Sequence, residues 1–255
     1  MGKRISFILM LFLSITFFSS AQVNVRDSIA PGWLITIRSG FFMPEMDLGN
    51  RFSESYATGI GTFIKTKKNW LWGVNGDFWF GAGTRERWNI IRALGDETGE
   101  VLDHFGNFSD VMTYQRGWLA GFDFGKIFNS LGHNANSGLF FTLGGGYMQH
   151  RIRLESINRN SIIYQIEGEY QRGYDRLNMG WMSRLNVGYM HSHVGKTVNF
   201  MLAAEVMYGQ SSNVRRFNWD TGLPDTEVFQ NLTWGIRLTW FLPIYDKNAQ
   251  TFFFN

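Results

Sequence analysis

The sequence predicts an all-β protein: a transmembrane, antiparallel up-and-down β-barrel of eight strands, with long extracellular loops and short periplasmic turns. Three observations lead to this prediction. Apolar and polar residues alternate with a period of two along eight segments of the chain. Short and long connections alternate between those segments, which is the plan of an outer-membrane barrel. Aromatic residues gather near both ends of the apolar faces, as they do where strands cross the two interfaces of a membrane.

The composition excludes several other classes of protein. The chain has 255 residues, 29 glycines, 17% aromatic residues and no cysteine, so it carries no disulfide scaffold, thiol nucleophile or thiolate metal site. After residue 20, no stretch is apolar for long enough to span a bilayer as a helix. The formal net charge is +3, but no segment mixes basic residues with stacking aromatic residues, so we expect no nucleic acid partner.

The N-terminus has the three parts of a cleaved signal peptide. Lys3 and Arg4 provide a charged start, residues 5–18 form a nearly unbroken apolar core, and residues 19–21 are small. An uncleaved anchor is the alternative, but an apolar run of this length is too short for a transmembrane helix. The predicted parts of this exported, outer-membrane chain are a signal peptide (1–21), a periplasmic N-terminal tail (22–32), the barrel (33–242) and a periplasmic C-terminal tail (243–255).

The eight alternating segments mark the strands. In residues 112–128, for example, Tyr114 and Trp118 lie on one face, whereas Gln115 and Asp123 lie on the other. The predicted strands lie near residues 33–43, 54–66, 70–82, 112–128, 138–154, 177–190, 198–210 and 228–242. The short connections are 67–69, 129–137 and 191–197, and the long ones are 44–53, 83–111, 155–176 and 211–227. A soluble sandwich, the alternative fold, would not sort its connections by length.

The aromatic residues of the apolar faces form two predicted girdles. One girdle contains Trp33, Trp70, Trp72, Phe124, Phe141, Tyr189, Phe200 and Trp240. The other contains Phe41, Tyr56, Phe80, Tyr114, Tyr147, Trp181 and Tyr208. Members of the two girdles on one strand lie mostly eight to ten residues apart. In a tilted strand this separation corresponds to roughly 20–25 Å, which matches the apolar band of an outer-membrane barrel.

Six charged residues alternate onto the polar face of the strands and are predicted to point into the barrel. They are Arg38, Arg184, Arg237, Asp77, Asp123 and Glu205. The three positive and three negative groups balance, and an eight-stranded barrel is just wide enough for its side chains to fill it. Because buried charges must be paired, we predict a salt-bridged plug, with an ion or proton path as the alternative. The uncharged residues expected to complete it are Asn75, Asn186, Asn199, Asn231 and Thr233.

Lysine and arginine are segregated between the two ends of the predicted barrel. Every lysine after residue 21 lies at the short-turn end, whereas the loop end carries arginines and no lysine. The arginine guanidinium binds phosphate in a bidentate manner, so an arginine rim would suit lipopolysaccharide and outer-membrane lipid. Ion pairing with loop carboxylates is an equally weighted alternative. The arginines predicted to face lipopolysaccharide are Arg116, Arg151, Arg153, Arg215 and Arg216.

The last predicted strand carries the pattern Thr233-x-Gly235-x-x-Leu238-x-Trp240. With this pattern, residues 33–242 resemble the small eight-stranded outer-membrane barrels of the OmpA/OmpX-like class, in the form common in Bacteroidota. The resemblance implies that the barrel-assembly machinery recognises these four residues. Many relatives end at the aromatic residue, whereas this chain continues for a further 15 residues. The resemblance rests on the pattern of strands more than on shared motifs.

Two groups of residues are candidates for catalysis. Asp103, His104 and Ser109 lie in the longest loop, on the correct side for acyl transfer to or from outer-leaflet lipid, but an ordinary polar loop is the simpler interpretation. His191-Ser192-His193 resembles the His-x-Ser element of barrel lipid A deacylases, but it falls in a periplasmic turn. These two histidines cannot bind a metal without further ligands, so we expect no metal and no cofactor.

The predicted function is that of a non-enzymatic outer-membrane barrel with a plugged lumen. It would act in envelope integrity or bind protein partners through its extracellular loops, for example as an accessory of a secretion or surface assembly. The first alternative is an outer-leaflet lipid-modifying enzyme, a lipid A acyl hydrolase or transferase. The second is a narrow channel or a carrier of small apolar molecules.

Overall fold

Eight long strands form the body of the protein in the computed structural model, which describes residues 29–95, 100–157, 162–193, 198–215 and 217–245. In chain order they are β1 (Gly32–Glu45), β2 (Ser55–Lys65), β3 (Trp70–Gly81), β4 (Val111–Phe128), β5 (Gly138–Ser156), β6 (Asn178–His191), β7 (Phe200–Asn213) and β8 (Val228–Tyr245). The predicted signal peptide, most of the N-terminal tail and the last ten residues lie outside the described ranges.

The strands close into an antiparallel barrel in which each strand pairs with its neighbours in sequence. The ring closes between β1 and β8, where Gly32 pairs with Tyr245 and Glu45 with Leu232. The predicted eight-stranded up-and-down barrel is therefore confirmed. The last strand ends at Tyr245 rather than at Leu242, so the predicted C-terminal tail begins later than expected. No helix among the described residues is long and apolar enough to cross a membrane.

Side chains alternate between the inside and the outside of the barrel along each strand, as the pleat requires. On β1, Leu34, Thr36 and Arg38 are buried, whereas Trp33 and Ile37 are more than half exposed. The outer wall is apolar, and all members of the two predicted aromatic girdles are exposed or half-buried on it. The ring centroids of Trp70 and Phe124, on β3 and β4, lie 4.9 Å apart.

The interior is filled in three layers. An apolar layer at the short-turn end consists of Leu34, Phe63, Leu71, Ile127, Phe140, Met190, Met201, Ala203 and Phe241. The charged residues described below form the middle layer. The third layer, at the loop end, is apolar and includes Phe42, Trp79, Leu119, Met148 and Met182 from the strands.

The long connections fold over the loop end of the barrel. Helix α1 (Met46–Arg51) follows β1 directly, and helix α2 (Arg87–Leu94) lies in the connection between β3 and β4. Leu48 of α1 and Ile90 of α2 are buried in the same apolar cluster as the third interior layer. The connection between β3 and β4 also contains a short hairpin, in which Val101–Leu102 pairs with Phe108–Ser109. A second short hairpin, Phe217–Asn218 with Leu223–Pro224, lies in the connection between β7 and β8. Three 3-10 helices, Asn129–Leu131, Tyr164–Ile166 and Tyr170–Gly173, complete the described elements.

Candidate functional site

The six predicted interior charges lie together in the middle layer, and each is at most 3% exposed. Arg237 on β8 forms a bidentate pair with Glu205 on β7, with Nε and Nη2 donating to the two carboxylate oxygens at 2.6 and 2.8 Å. Arg184 on β6 donates from Nε to Asp123 Oδ1 on β4 at 2.7 Å. The sequence places the six charges on six different strands, and the closed ring brings them into contact.

Asp77 and Arg38 connect the two strong pairs. Asp77 lies among three guanidinium groups, with Arg237 Nη1 at 3.3 Å, Arg38 Nε at 3.5 Å and Arg184 Nη1 at 3.9 Å. Arg38 in turn lies 3.5 Å from Asp123 and 3.8 Å from Glu205. All six charges therefore belong to one ion-pair network, and the name "charge plug" is used for it below.

Of the five uncharged residues expected to complete the plug, Asn75 is directly hydrogen-bonded to it. Asn75 donates to Asp123 Oδ2 at 2.7 Å and accepts from Arg184 Nη2 at 2.6 Å. Asn186 donates to Thr142, and Asn231 to Ser211, at 3.2 and 2.8 Å. The buried hydroxyl of Thr233 has no hydrogen-bond partner among the described residues. These residues extend the polar lining of the barrel beyond the charges.

A cavity of about 20 Å³ lies between the plug and the apolar layer at the short-turn end, and its lining includes Arg38, Arg237, Phe63 and Phe140. A volume of this size holds about one water molecule. The described part of the barrel interior therefore contains an apolar layer, a charged layer and a second apolar layer in series.

A second ion-pair network ties the four long connections together over the loop end. Arg51 in α1 lies 3.3 Å from Glu86, which precedes α2, and Arg176, which precedes β6, lies 2.7 Å from the same carboxylate. Arg176 also pairs with Asp220 in the connection between β7 and β8. Each long connection thus contributes one residue, and we call these four residues the "loop clasp".

Burial shapes the electrostatics of the loop clasp. Burial lowers the pKa of Arg51, and the Glu86 carboxylate offsets part of this effect. Burial acts in the same direction on Arg176, but the carboxylates of Glu86 and Asp220 outweigh it and raise the pKa of that guanidinium. Arg176 also has a left-handed backbone with φ of 43°, a conformation that costs a non-glycine residue about 1–2 kcal/mol. The two carboxylates therefore hold a charged, strained arginine in place.

The arginines predicted to face lipopolysaccharide differ from one another in their contacts. Arg215 donates to both carboxylate oxygens of Asp175 at 2.9 and 2.7 Å, and Arg151 lies 3.8 Å from the same carboxylate. Arg153 pairs with Glu155 at 2.5 Å. No carboxylate lies within 4.0 Å of Arg116 among the described residues. Its Nη1 donates to the carbonyl oxygen of Gln115 at 2.8 Å, and its guanidinium lies 5.1 Å from the ring of Tyr114. Arg216 lies outside the described ranges.

The catalytic candidates of the longest loop have the contacts of ordinary loop residues. The carboxylate of Asp103 accepts the backbone N–H groups of Phe105 and Asn107 at 2.9 and 2.8 Å, so it stabilises the hairpin turn. The hydroxyl of Ser109 lies 3.0 Å from that of Ser156. The ring of His104 packs against Phe105 with 3.6 Å between centroids. These contacts correspond to the simpler interpretation of an ordered polar loop.

The second candidate group is larger than the sequence suggested. His191 and His193 are joined by His133 from the turn between β4 and β5, and ligand nitrogens of the three rings lie within 4.8 Å of one another. His133 is thus a third candidate ligand, which the sequence alone does not indicate. The missed signal is the register of β5 with β6, since Gly138 pairs with Met190 and this pairing places the two turns side by side.

The four residues of the proposed assembly signal lie near the barrel seam. Leu238 and Trp240 are 49% and 40% exposed on the outer wall, whereas Thr233 points into the lumen. Gly235 faces Phe42 of β1, and a side chain at this position would collide with the β1 backbone. The alternation of this strand thus presents Leu238 and Trp240, but not Thr233, on the outside.

Comparison with known proteins gives similarity of architecture at low sequence identity. No protein family model and no curated protein matches the sequence. The chain is similar to the solved structure of Neisserial surface protein A, with 11% identity, a TM-score of 0.38, and coverage of 84% of this chain and 99% of that one. For Ail, the attachment invasion locus protein of Yersinia pestis, the values are 7%, 0.40, 84% and 100%. For the outer membrane protein OprG from Pseudomonas aeruginosa they are 12%, 0.36, 84% and 98%.

Proposed function

We propose that the protein is a non-conducting outer-membrane barrel that supports the envelope through its outer rim and presents its clasped loops to partners. The apolar outer wall with two aromatic girdles supports the membrane location, because such a surface is unstable in water. Export through a signal peptide and an origin in Bacteroidota belong to the same proposal. The observation that supports the absence of conductance is the layered interior, in which the charge plug lies between two apolar layers.

We expect the purified full-length barrel to show no stable current steps in planar lipid bilayers. The Arg176→Ala variant, which loosens the loop clasp, should also be silent, because the seal lies deeper, at the charge plug and the apolar layers. Refolding into a compact barrel is checked first by the faster migration of the unboiled protein on SDS gels. Reproducible single-channel steps from the wild-type barrel would contradict the proposal and favour the channel alternative.

The envelope role is supported by the outward-facing pair of Arg116 and Arg151. These residues are directly opposite each other on β4 and β5, and Arg153 lies two positions further along the same face. Like charges directly opposite on neighbouring strands destabilise a sheet unless an anion lies between them. Asp175 lies near Arg151 but not within ion-pair distance of Arg116. We infer that a phosphate of lipopolysaccharide fills this position, since guanidinium groups bind phosphate in bidentate geometry.

The double variant Arg116→Gln with Arg151→Gln is expected to bind lipopolysaccharide about tenfold more weakly than the wild type, because two charge-assisted contacts are lost. The measurement is a titration of the detergent-solubilised barrel with lipopolysaccharide, compared with dephosphorylated lipopolysaccharide. The matched control is Lys126→Gln, since Lys126 lies on the same face of β4, at the opposite end of the strand. Equal losses in both variants, or equal binding of the dephosphorylated form, would refute the phosphate contact.

Partner binding at the loops is supported by exposed aromatic side chains on a rigid base. Phe105 is 73% exposed and Tyr164 is 63% exposed on neighbouring loops, and both pack against His104. Trp219 is 48% exposed on the last long connection. Exposed aromatic residues held by a fixed scaffold are typical of protein-binding surfaces. The lipid-modifying alternative gains no comparable support, because the contacts of Ser109 and Asp103 are structural.

A further inference from the structure

The short-turn end of the barrel holds a cluster of three histidines that neither the sealed lumen nor the loops explain. The ring centroids of His133 and His191 lie 4.7 Å apart, and that of His193 lies 6.4 and 6.3 Å from them. The ligand nitrogens lie within 4.8 Å of one another. His133 is exposed and the other two rings are half-buried, so the cluster is open to ions from solution.

The fold brings this cluster together from two connections. The turn between β4 and β5 contains His133, and the end of β6 and the connection after it contain His191 and His193. Because β5 pairs with β6 up to Gly138 and Met190, both connections lie at the same end of the barrel and side by side. His191 and His193 are both half-buried, whereas Ser192 between them is buried, so the two histidines share the more exposed side of this segment.

Hydrogen bonds between the two connections hold the histidines in position. Ser137 Oγ donates to the carbonyl oxygen of Ser192 at 3.1 Å and accepts the Ser192 N–H at 2.9 Å. Asn134 Nδ2 donates to the same carbonyl at 2.7 Å and lies 3.0 Å from His133 Nε2. The backbone N–H of His193 donates to Asn199 Oδ1 at 2.8 Å. The central residue of the triplet is thus fixed from the neighbouring turn, with its two histidines beside His133.

We propose that His133, His191 and His193 bind one Zn²⁺ ion. Three imidazole nitrogens with a fourth position left to water are a known coordination set for zinc, and imidazole favours zinc over the oxygen-seeking ions Mg²⁺ and Ca²⁺. Ligands in a tetrahedral zinc site lie roughly 3.3 Å apart, given Zn–N distances near 2.0–2.1 Å. The three nitrogens lie within 4.8 Å of one another, so side-chain rotations that bring them closer together would complete the site. The ion would join the two turns and brace the open end of the barrel.

The first test is calorimetric titration of the folded full-length chain in detergent with Zn²⁺ alone, using an affinity tag that contains no histidine. We expect one ion per chain, and binding at least about tenfold weaker for His133→Ala, which removes one of three ligands. The matched control is His104→Ala, in the hairpin at the other end of the barrel, which should bind as the wild type does. A stoichiometry well below one, or equal affinity for His133→Ala and the wild type, would overturn the proposal.

A second measurement separates a bound ion from surface adsorption. Zn²⁺ should raise the temperature at which the wild-type barrel loses its compact migration on SDS gels, because an ion that binds only the folded state stabilises it. His133→Ala should show no such rise, although its migration without zinc confirms that it folds. An equal rise with Mg²⁺, or an equal rise in His133→Ala, would contradict the site. Neither readout depends on conductance or on lipopolysaccharide, so this proposal can fail separately from the proposed function.

Discussion

Replacing Gly144 by valine is expected to destabilise the barrel by more than about 3 kcal/mol, at the upper end of the cost of overpacking a core. Gly144 points into the lumen on β5, and a Cβ atom there would lie 2.6 Å from the carbonyl oxygen of Phe122 and 3.1 Å from Cγ of Arg184. It would also collide with the carboxylate of Asp123. The side chain can be accommodated only by separating the Arg184–Asp123 pair, which would leave two buried charges poorly matched.

The neighbouring residue provides the control for this prediction. Gly145 points to the outer wall, where the nearest atoms to an added Cβ lie 3.6 Å away, at ordinary contact distance. Gly145→Val should change the free energy of unfolding by no more than about 0.5 kcal/mol. Both variants are compared by urea unfolding in detergent and by the temperature at which compact migration on SDS gels is lost. If Gly144→Val were as stable as Gly145→Val, the lumen would have room that the charge plug does not leave.

Replacing Arg237 by methionine should cost about 3–5 kcal/mol, because it leaves Glu205 buried without its bidentate partner. Asp77 would lose its nearest guanidinium at the same time. The change in the free energy of unfolding is measured in the same way. A loss in this range would show that the charge plug stabilises the folded barrel, whereas a small loss would show that it does not.

A double variant distinguishes the lost pair from lost packing. Arg237→Met combined with Glu205→Gln removes one positive and one negative charge, so the remaining four interior charges still balance. We expect this double variant to be more stable than Arg237→Met alone, as in other proteins where both partners of a buried pair are replaced. Arg153→Met serves as the surface control and should cost less than about 1 kcal/mol, since its pair with Glu155 is exposed. A single variant no worse than this control would refute the role of the plug.

The barrel could be predicted from the sequence because a period of two carries its information locally. Within each strand, every second residue faces the interior, as Leu34 and Arg38 do on β1. The alternating lengths of the connections indicate the direction of each strand. Strand ends were less certain: β5 continues to Ser156 and β8 to Tyr245, each a few residues past the predicted end. Backbone pairing with the neighbouring strand extends these segments after the apolar alternation has ended.

The sites at the two ends of the barrel depend on contacts that the sequence does not report. The loop clasp joins Arg51, Glu86, Arg176 and Asp220, which are separated by 35 to 90 residues and carry no common motif. For Arg215 the sequence leaves lipid contact and ion pairing equally open, because only the folded loop shows its guanidinium at hydrogen-bond distance from Asp175. The histidine cluster was missed for the same reason, since its third member comes from another turn.

The loop clasp also determines what another molecule can recognise at the loop end of the barrel. Each of the four long connections is joined to at least one other by an ion pair of the clasp, so no loop presents its shape independently. An antibody or a phage that binds Phe105 or Trp219 would therefore recognise a conformational epitope assembled from several segments. Linear peptides copied from one loop would reproduce that epitope poorly, and sequence changes in one loop would alter the antigenic surface of its neighbours.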